Sequence, residues 1–431
     1  MKPAIIILLS LATLAAGQNP TQTFEELSTK ARQAYEANRP QEAAQLYARA
    51  VKLRPGWAEG WWAIGMIEYE SDHYPECTDA LTRMVKLDAD AAPGWALLGL
   101  CEFRTKQYDA AFQHLKKAHM LVSVRQSGGP LLDMADYHLA LLLTRRGAFE
   151  VAQEILVRVA LKVRSNSEMM FAAGLTSLRM PILPSDVPAP QREVVAMAGK
   201  AFWELATQTP AEAEADFSAL VAKYPNFPNV HYFYGTYLAA RHPEQCEPEF
   251  LQELRVSPDS VPARVQLTLR YIVEMKLDEA QKLAREAVAL SPDSVGAQLA
   301  LAEVLRAQGN DQEALAAFLE AKRLDSFSPK IRLYLVSAYR ALGRIDDMKR
   351  EQALWTGKYV DDHVLESLQW SKEKYKLQVW ELPAAEKAQI PKTLAPLIGS
   401  YVKKVNAAGL PGDQILKDVM ALKDKYEKEF K

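Results

Sequence analysis

Residues 58–65 read AEGWWAIG, and thirty-four residues later residues 92–99 read APGWALLG. The echo runs further: Trp61, Gly65, Tyr74, Leu81 and Leu87 recur as Trp95, Gly99, Tyr108, Leu115 and Leu121. Near the other end, Ala280, Ala287 and Leu290 recur as Ala314, Ala321 and Leu324 at the same offset. A fixed period of this length constrains the fold more than any bulk property does. Each unit is a small element that cannot bury its apolar face alone, so the units must stack on one another.

The pattern resembles the tetratricopeptide repeat family, in which each repeat is a pair of antiparallel helices with bulky residues and Gly or Ala at fixed places. In repeat two, Trp61, Ile64 and Gly65 match the first-helix signature, while Cys77 stands where the family usually has Ala. In repeat three, Trp95, Leu98, Gly99, Ala111 and Ala118 match. The second-helix signature appears as Ala43, Tyr47, Ala50 and Pro55 in repeat one, and as Ala314, Phe318 and Ala321 after a Gly309 turn in repeat nine. The resemblance covers about residues 24–360 and implies an all-α fold, an α-solenoid of antiparallel helix pairs. Glycine inside a helix costs about 1 kcal/mol relative to alanine, so Gly65 and Gly99 imply close approach of a partner helix, in repeat three over Ala111. Trp61 and Trp95 lie four residues earlier on the same face. Filling the gap between stacked pairs, each would contribute roughly 2 to 3 kcal/mol by burial.

Repeats are expected near 24–57, 58–91, 92–125 and 133–165, the fourth anchored by Ala140, Gly147, Phe149 and Ala152 after a longer connection through Gly128, Gly129 and Pro130. A helix from about Glu168 to Arg179 follows without a clear partner. The segment PILPSDVPAP, residues 181–190, holds four prolines and cannot be helix, so it divides a block at 24–180 from a second at 191–360. The second block resumes with Ala201, Ala213, Phe217 and Pro225. It continues through Gly235 to Pro258, Ala280 to Pro292 and 295–328, and ends in a degenerate pair at 329–360 holding Tyr339 and Gly343. Residues 361–431 leave the period but keep helical stripes: Leu394, Leu397, Ile398, Tyr401, Val402 and Val405, then Ile415, Val419, Leu422 and Tyr426. Asp413 after Pro411 and Gly412 suits a helix start. This extension is expected to cap the apolar end of the solenoid.

The first 17 residues have Lys2, an apolar run from Ala4 to Leu14 and small residues Ala15, Ala16 and Gly17, the layout of a secretory signal. Cleavage is placed after Gly17, and Gln18 stands where a lipoprotein would need cysteine. The chain is therefore expected to be exported, periplasmic or secreted, with no stable membrane insertion after cleavage. With 52 Lys+Arg against 54 Asp+Glu, the net charge is −2. No basic tract invites nucleic acid. Of the three cysteines, Cys77 and Cys101 fall at small or apolar helix positions and are read as buried thiols packing as small hydrophobes. A bridge between them is the alternative, and Cys246 has no assigned partner.

Signatures for nucleotide binding, metalloprotease or serine hydrolase chemistry are lacking. His114 and His119, five apart, do not share a helical face, and acidic pairs such as Asp346 with Asp347 or Asp361 with Asp362 suit helix starts. Neither catalysis nor a metal or other cofactor is expected. The resemblance implies instead that first helices line a concave groove. Carried over by position, the groove residues are Trp62, Met66 and Tyr69 in repeat two, Leu97, Leu100, Phe103 and Arg104 in repeat three, Tyr137, His138 and Arg145 in repeat four, and Phe202, Tyr232 and Phe233 in the second block. Ser28, Arg32 and Ala63 occupy the places where carboxylate-clamping members of the family have Lys and Asn, which argues against that mode. The expected partner is a protein or peptide segment of another exported or envelope protein, held in this aromatic-lined groove. Two alternatives remain: an envelope-complex component that assembles through 361–431, and an accessory enzyme with an unrecognised site.

Overall fold

The computed structural model describes residues 23–125, 129–162, 166–207, 210–326 and 328–352, with residues 399–400, 402–403, 406, 413–414 and 416–417 beyond them. All regular structure among the described residues is helical. The export signal at 1–17, its cleavage point, Asp361 and Asp362, and every stripe residue expected in 361–431 except Val402 lie outside the described residues.

Antiparallel pairs succeed one another along the chain. They are α1 (Phe24–Glu36) with α2 (Pro40–Leu53), α3 (Ala58–Glu70) with α4 (Tyr74–Leu87), α5 (Ala92–Arg104) with α6 (Tyr108–Arg125), and α7 (Pro130–Arg145) with α8 (Phe149–Lys162). After α9 (Ser167–Ser177) come α10 (Arg192–Ala206) with α11 (Pro210–Lys223), and α12 (Val230–Arg241) with α13 (Cys246–Val256). The series continues with α14 (Val261–Val273) and α15 (Leu277–Leu290), α16 (Val295–Ala307) and α17 (Asp311–Leu324), then α18 (Pro329–Ala341) and helical residues 345–352. Each second helix packs on the next first helix, as α2 does on α3 and α15 on α16, so every interior element buries two faces. The fourth first helix begins at Pro130 rather than near 133, because proline at the first helical position gives up only an N–H that has no intrahelical acceptor.

The echoed glycines do mark close approach, but not over Ala111. A Cβ on Gly99 would stand 2.7 Å from Leu115 Cγ, and one on Gly65 would stand 2.6 Å from Leu81 Cγ, so leucines of α6 and α4 fill the space. The same device recurs at Gly235, where a Cβ would meet the Phe250 ring at 2.6 Å. The echoed tryptophans are only partly buried, and their indole N–H groups explain the spacing further. Trp61 Nε1 donates to Pro55 O and Trp95 Nε1 to Ala89 O, each at 2.9 Å and six residues back. Other residue types make the same bond elsewhere: Gln298 Nε2 to Pro292 O at 3.0 Å, Arg332 to Ser326 O at 2.9 Å, and His231 Nε2 to Pro225 O at 2.8 Å. The position thus needs a donor that staples the turn between repeats, and tryptophan is one way to supply it.

The turns within repeats keep the period too. Asn38, Asp72 and Lys106 are left-handed, with φ of 56°, 60° and 61°, and Met275, Gly309 and Gly343 form a second such series. At Gly309 the N–H bonds Arg306 O at 3.0 Å and the next N–H bonds Leu305 O at 2.8 Å. This paired closure ends a helix by satisfying its last carbonyls.

The proline-rich segment is not a gap in the core. Leu183 and Val187 are buried, short 3₁₀ turns form at Pro184–Asp186 and Ala189–Gln191, and one apolar cluster runs from Cys77 to Leu267 across it. The helix that lacked a partner, α9, packs along α10, where the backbones nearly touch. A Cβ on Gly174 would lie 1.9 Å from Val195 O, and one on Gly199 1.9 Å from Met170 O. Further bonds tie α9 to both sides. Thr144 and Thr176 hydroxyls pair at 2.7 Å, Arg179 bonds Glu150 at 2.7 Å, and Asn229 Nδ2 donates to Leu178 O at 3.0 Å.

Cys77 and Cys101 are bridged, with Cα atoms 6.4 Å apart, which corrects the reading of two packed thiols. Packing of α4 on α5 brings the two positions within the span a disulfide requires. Cys246 is free and buried. Contacts divide the chain into Met1–Leu365 and Glu366–Lys431. In the second unit the described residues are helical, Val402 is buried, and Asn406 Nδ2 bonds Asp413 at 2.6 Å.

Candidate functional site

Among the described residues, a cavity of about 900 Å³ opens where α5, α7, the first turn of α9, the proline-rich segment and α10 meet. Its lining includes Tyr69, Leu100, Phe103, Arg104, Tyr137 and His138, all groove residues expected from sequence. Helical spacing explains why they converge. Leu100, Phe103 and Arg104 share one face of α5, and Tyr137, His138 and Leu141 share one face of α7. The structure adds Tyr108, Met134, Glu168, Met169, Phe171, Leu183, Pro184, Arg192 and Ala196, contributed largely by α9, the proline-rich segment and α10. The volume is that of an ordinary ligand site.

Aromatic edges order the floor. The His138 ring stands edge-on to Phe103 at 4.7 Å and to Tyr137 at 5.0 Å, and Phe103 is edge-on to Tyr108 at 5.4 Å. His138 Nδ1 lies 2.8 Å from Met134 O, an acceptor only, so this nitrogen carries the proton. Burial pushes the His138 pKa down, which keeps the ring neutral. Tyr137 is 8% exposed and its pKa is pushed up to about 12 by burial, with Glu168 adding to the effect. Its hydroxyl therefore remains a donor. Tyr69 OH contacts Met134 Sδ at 3.7 Å. The cations lie over rings: Arg104 is 5.0 Å from the Tyr74 centroid, Arg192 4.8 Å from Phe171, and Arg145 4.7 Å from Tyr108. Such stacking holds a guanidinium in place without neutralising it.

The remaining expected groove residues fall elsewhere. Trp62 and Met66 are partly buried against the core, and Arg145 does not line the cavity itself but lies over the ring of Tyr108, which does. Tyr232 sits on α12 beneath Arg179, 5.7 Å from its ring. Phe233 is corrected outright: it is 4% exposed and packs 4.7 Å from Phe217, because α11 and α12 close over that face. Leu97 and Phe202 are likewise core. The residues from α9 and α10 were missed because the period breaks there. The available signal was the pair Gly174 and Gly199, two mid-helix glycines whose cost implies close helix contact.

A family model described as tetratricopeptide repeat matches residues 28–76 and 276–329. These matches coincide with helix pairs built on the repeated staples and turns above. The chain carries tetratricopeptide repeats over these residues. Solved structures similar to it include yeast Tom70, 12% identical over 78% of this chain and 98% of that one, with a TM-score of 0.34. MamA is 18% identical over 47% of this chain and 94% of its own, with a TM-score of 0.32. The tetratricopeptide domain of P58(IPK) is 15% identical over 74% and 98%, with a TM-score of 0.26. Tetratricopeptide repeats are protein-interaction scaffolds and generally non-catalytic. Among the described residues no cluster of His, Cys, Asp or Glu could hold a metal, and no helix is long and apolar enough to cross a membrane.

Proposed function

We propose that this protein is an exported, non-catalytic scaffold, periplasmic or secreted, that holds a segment of another exported or envelope protein in the groove of its first repeats. The observation that carries the reading is the cavity where α5, α7, α9 and α10 meet, because it joins aromatic faces to polar atoms on one concave surface. The Cys77 and Cys101 bridge supports the export half, since structural disulfides belong to oxidising compartments. Affinity capture from the native envelope or secreted fraction tests the proposal, using mature chain from Gln18 beside an equally helical Phe103→Ser variant. The parent should retain a partner that the variant loses. A partner retained equally by both would place the binding surface elsewhere, with residues 361–431 the next region to test as the assembly surface.

A further inference from the structure

The cavity has a charge pattern that specifies its occupant more closely than the groove reading on which this inference rests. Many arginines of the repeats are matched to carboxylates, such as Arg146 to Asp109, Arg179 to Glu150, Arg264 to Glu286 and Arg332 to Glu351. Others, such as Arg83 and Arg145, stack on rings without lining the cavity themselves. Arg104 and Arg192 differ. They come from separate helices, α5 and α10, both line the cavity, and neither forms an ion pair among the described residues. Arg104 lies over Tyr74, and Arg192 lies over Phe171 while donating to Pro184 O at 3.2 Å. Each is therefore positioned with charge to spare. The one acidic residue in the lining, Glu168, sits in the first turn of α9, where it opposes the helix dipole.

A second polar observation points the same way. Tyr137 is more than nine-tenths buried and lines the cavity. Its hydroxyl, kept protonated by a pKa pushed up to about 12, can donate to an acceptor brought by a ligand. Beside these donors stand Phe103 and Met134, apolar surfaces that a purely charged ligand would leave uncovered.

We propose that the cavity takes an internal peptide segment in which an aspartate or glutamate side chain lies next to a bulky apolar or aromatic residue, the carboxylate meeting Arg104, Arg192 and the Tyr137 hydroxyl. Guanidinium groups suit this task because their planar fork matches a carboxylate. A peptide's terminal carboxylate and a free small acid are competing occupants, and the test separates them.

The full mature chain is used to select peptides from a randomised displayed heptamer library. The enriched sequences are then remade with acetylated and amidated ends, so that side chains hold the only carboxylates. Acid next to an aromatic or bulky aliphatic residue should be enriched. Replacing that acid by its amide should weaken binding about tenfold. Arg104→Gln and Arg192→Gln should each have a similar effect, while Tyr137→Phe should have a smaller one, all in variants with unchanged helicity and melting temperature. Peptides lost by Phe103→Ser but indifferent to both arginine variants would overturn the acidic inference and leave the groove reading standing. Binding only by peptides with a free terminal carboxylate would also overturn it. Enriched peptides indifferent to Phe103→Ser as well would count against both readings.

Discussion

Residues 58–125 and residues 166–207 are built by opposite rules. In the first region, two helix pairs repeat one another at thirty-four residues, glycines face leucine side chains, and each repeat turn is stapled by an indole N–H. In the second, no period survives. A short helix lies against α10 with backbone facing backbone at Gly174 and Gly199, and a proline-rich segment supplies Leu183 and Val187 to the core. Regular repeats therefore create a surface that any stack of this kind would offer. The irregular region closes one end of that surface and turns it into a cavity, contributing Glu168, Phe171, Leu183 and Arg192 to its walls.

A single methyl group added at one glycine of each region separates the two kinds of packing. Gly174→Ala would drive a Cβ to 1.9 Å from Val195 O, where only backbone movement can relieve the clash. It should cost roughly 3 kcal/mol or more in denaturant unfolding. Gly99→Ala meets the Leu115 side chain at 2.7 Å and its backbone N only at 3.1 Å, and regains some helix propensity, so a smaller loss of about 1 to 2 kcal/mol is expected. Equal costs would show that the two glycine contacts are not different in kind.

Next in size is the covalent tie, which belongs to the regular region alone. Replacing Cys77 and Cys101 together by alanine should lower stability by about 2 to 3 kcal/mol. Reduction should reproduce the loss in the parent without adding to it in the double variant. A parent whose melting temperature is unmoved by reductant would contradict the bridge.

A smaller effect comes from His231, which fills the tryptophan place in its repeat. Its Nε2 faces Pro225 O at 2.8 Å and its Nδ1 faces Glu249 at 2.6 Å. Both partners are acceptors, so both nitrogens carry protons and the ring is cationic. The bond to Glu249 raises its pKa, opposed by burial and reinforced by Pro225 O and Glu253. A pKa raised in the folded state gives stability that is fully present below about pH 6.5, the unfolded value, and is lost as pH rises through the folded value. Urea midpoints measured from pH 5.5 to 8.5 should fall with pH more in the parent than in His231→Gln. Identical slopes would refute the cationic staple.

The least effect is expected at the turns. Lys106→Gly and Met275→Gly should each stabilise by about 0.5 to 1 kcal/mol, because both residues hold a left-handed φ that glycine adopts without a Cβ clash. The same change at Gln107, outside that conformation, should not.

Sequence revealed what the period carries and little of what interrupts it. Trp61 and Gly65 marked one helix face and the need for close packing, since both follow from residue type and spacing. That Leu115 rather than Ala111 meets Gly99 depends on the offset between helices, which spacing alone does not set. Cys77 and Cys101 are twenty-four residues apart, and only the packing of α4 on α5 brings them to bonding distance. On the cavity, Phe103 and Tyr137 were legible as first-helix surface positions. Arg192 was not, because its place depends on how a non-repeating segment folds back on α9. Phe233 failed for the converse reason: a residue at a groove position is available only where no neighbouring helix covers it, and here Phe217 does.

The most direct test of the account is a photo-crosslinking residue placed at Ala196, which is exposed and lines the cavity, and at Leu161, which is 60% exposed on α8 and lies outside it. Irradiated in the native envelope or secreted fraction, the Ala196 probe should attach to one discrete partner while the Leu161 probe should not. A partner that crosslinks at Leu161 and never at Ala196 would contradict the claim that the cavity closed by α9 and α10 is the working surface.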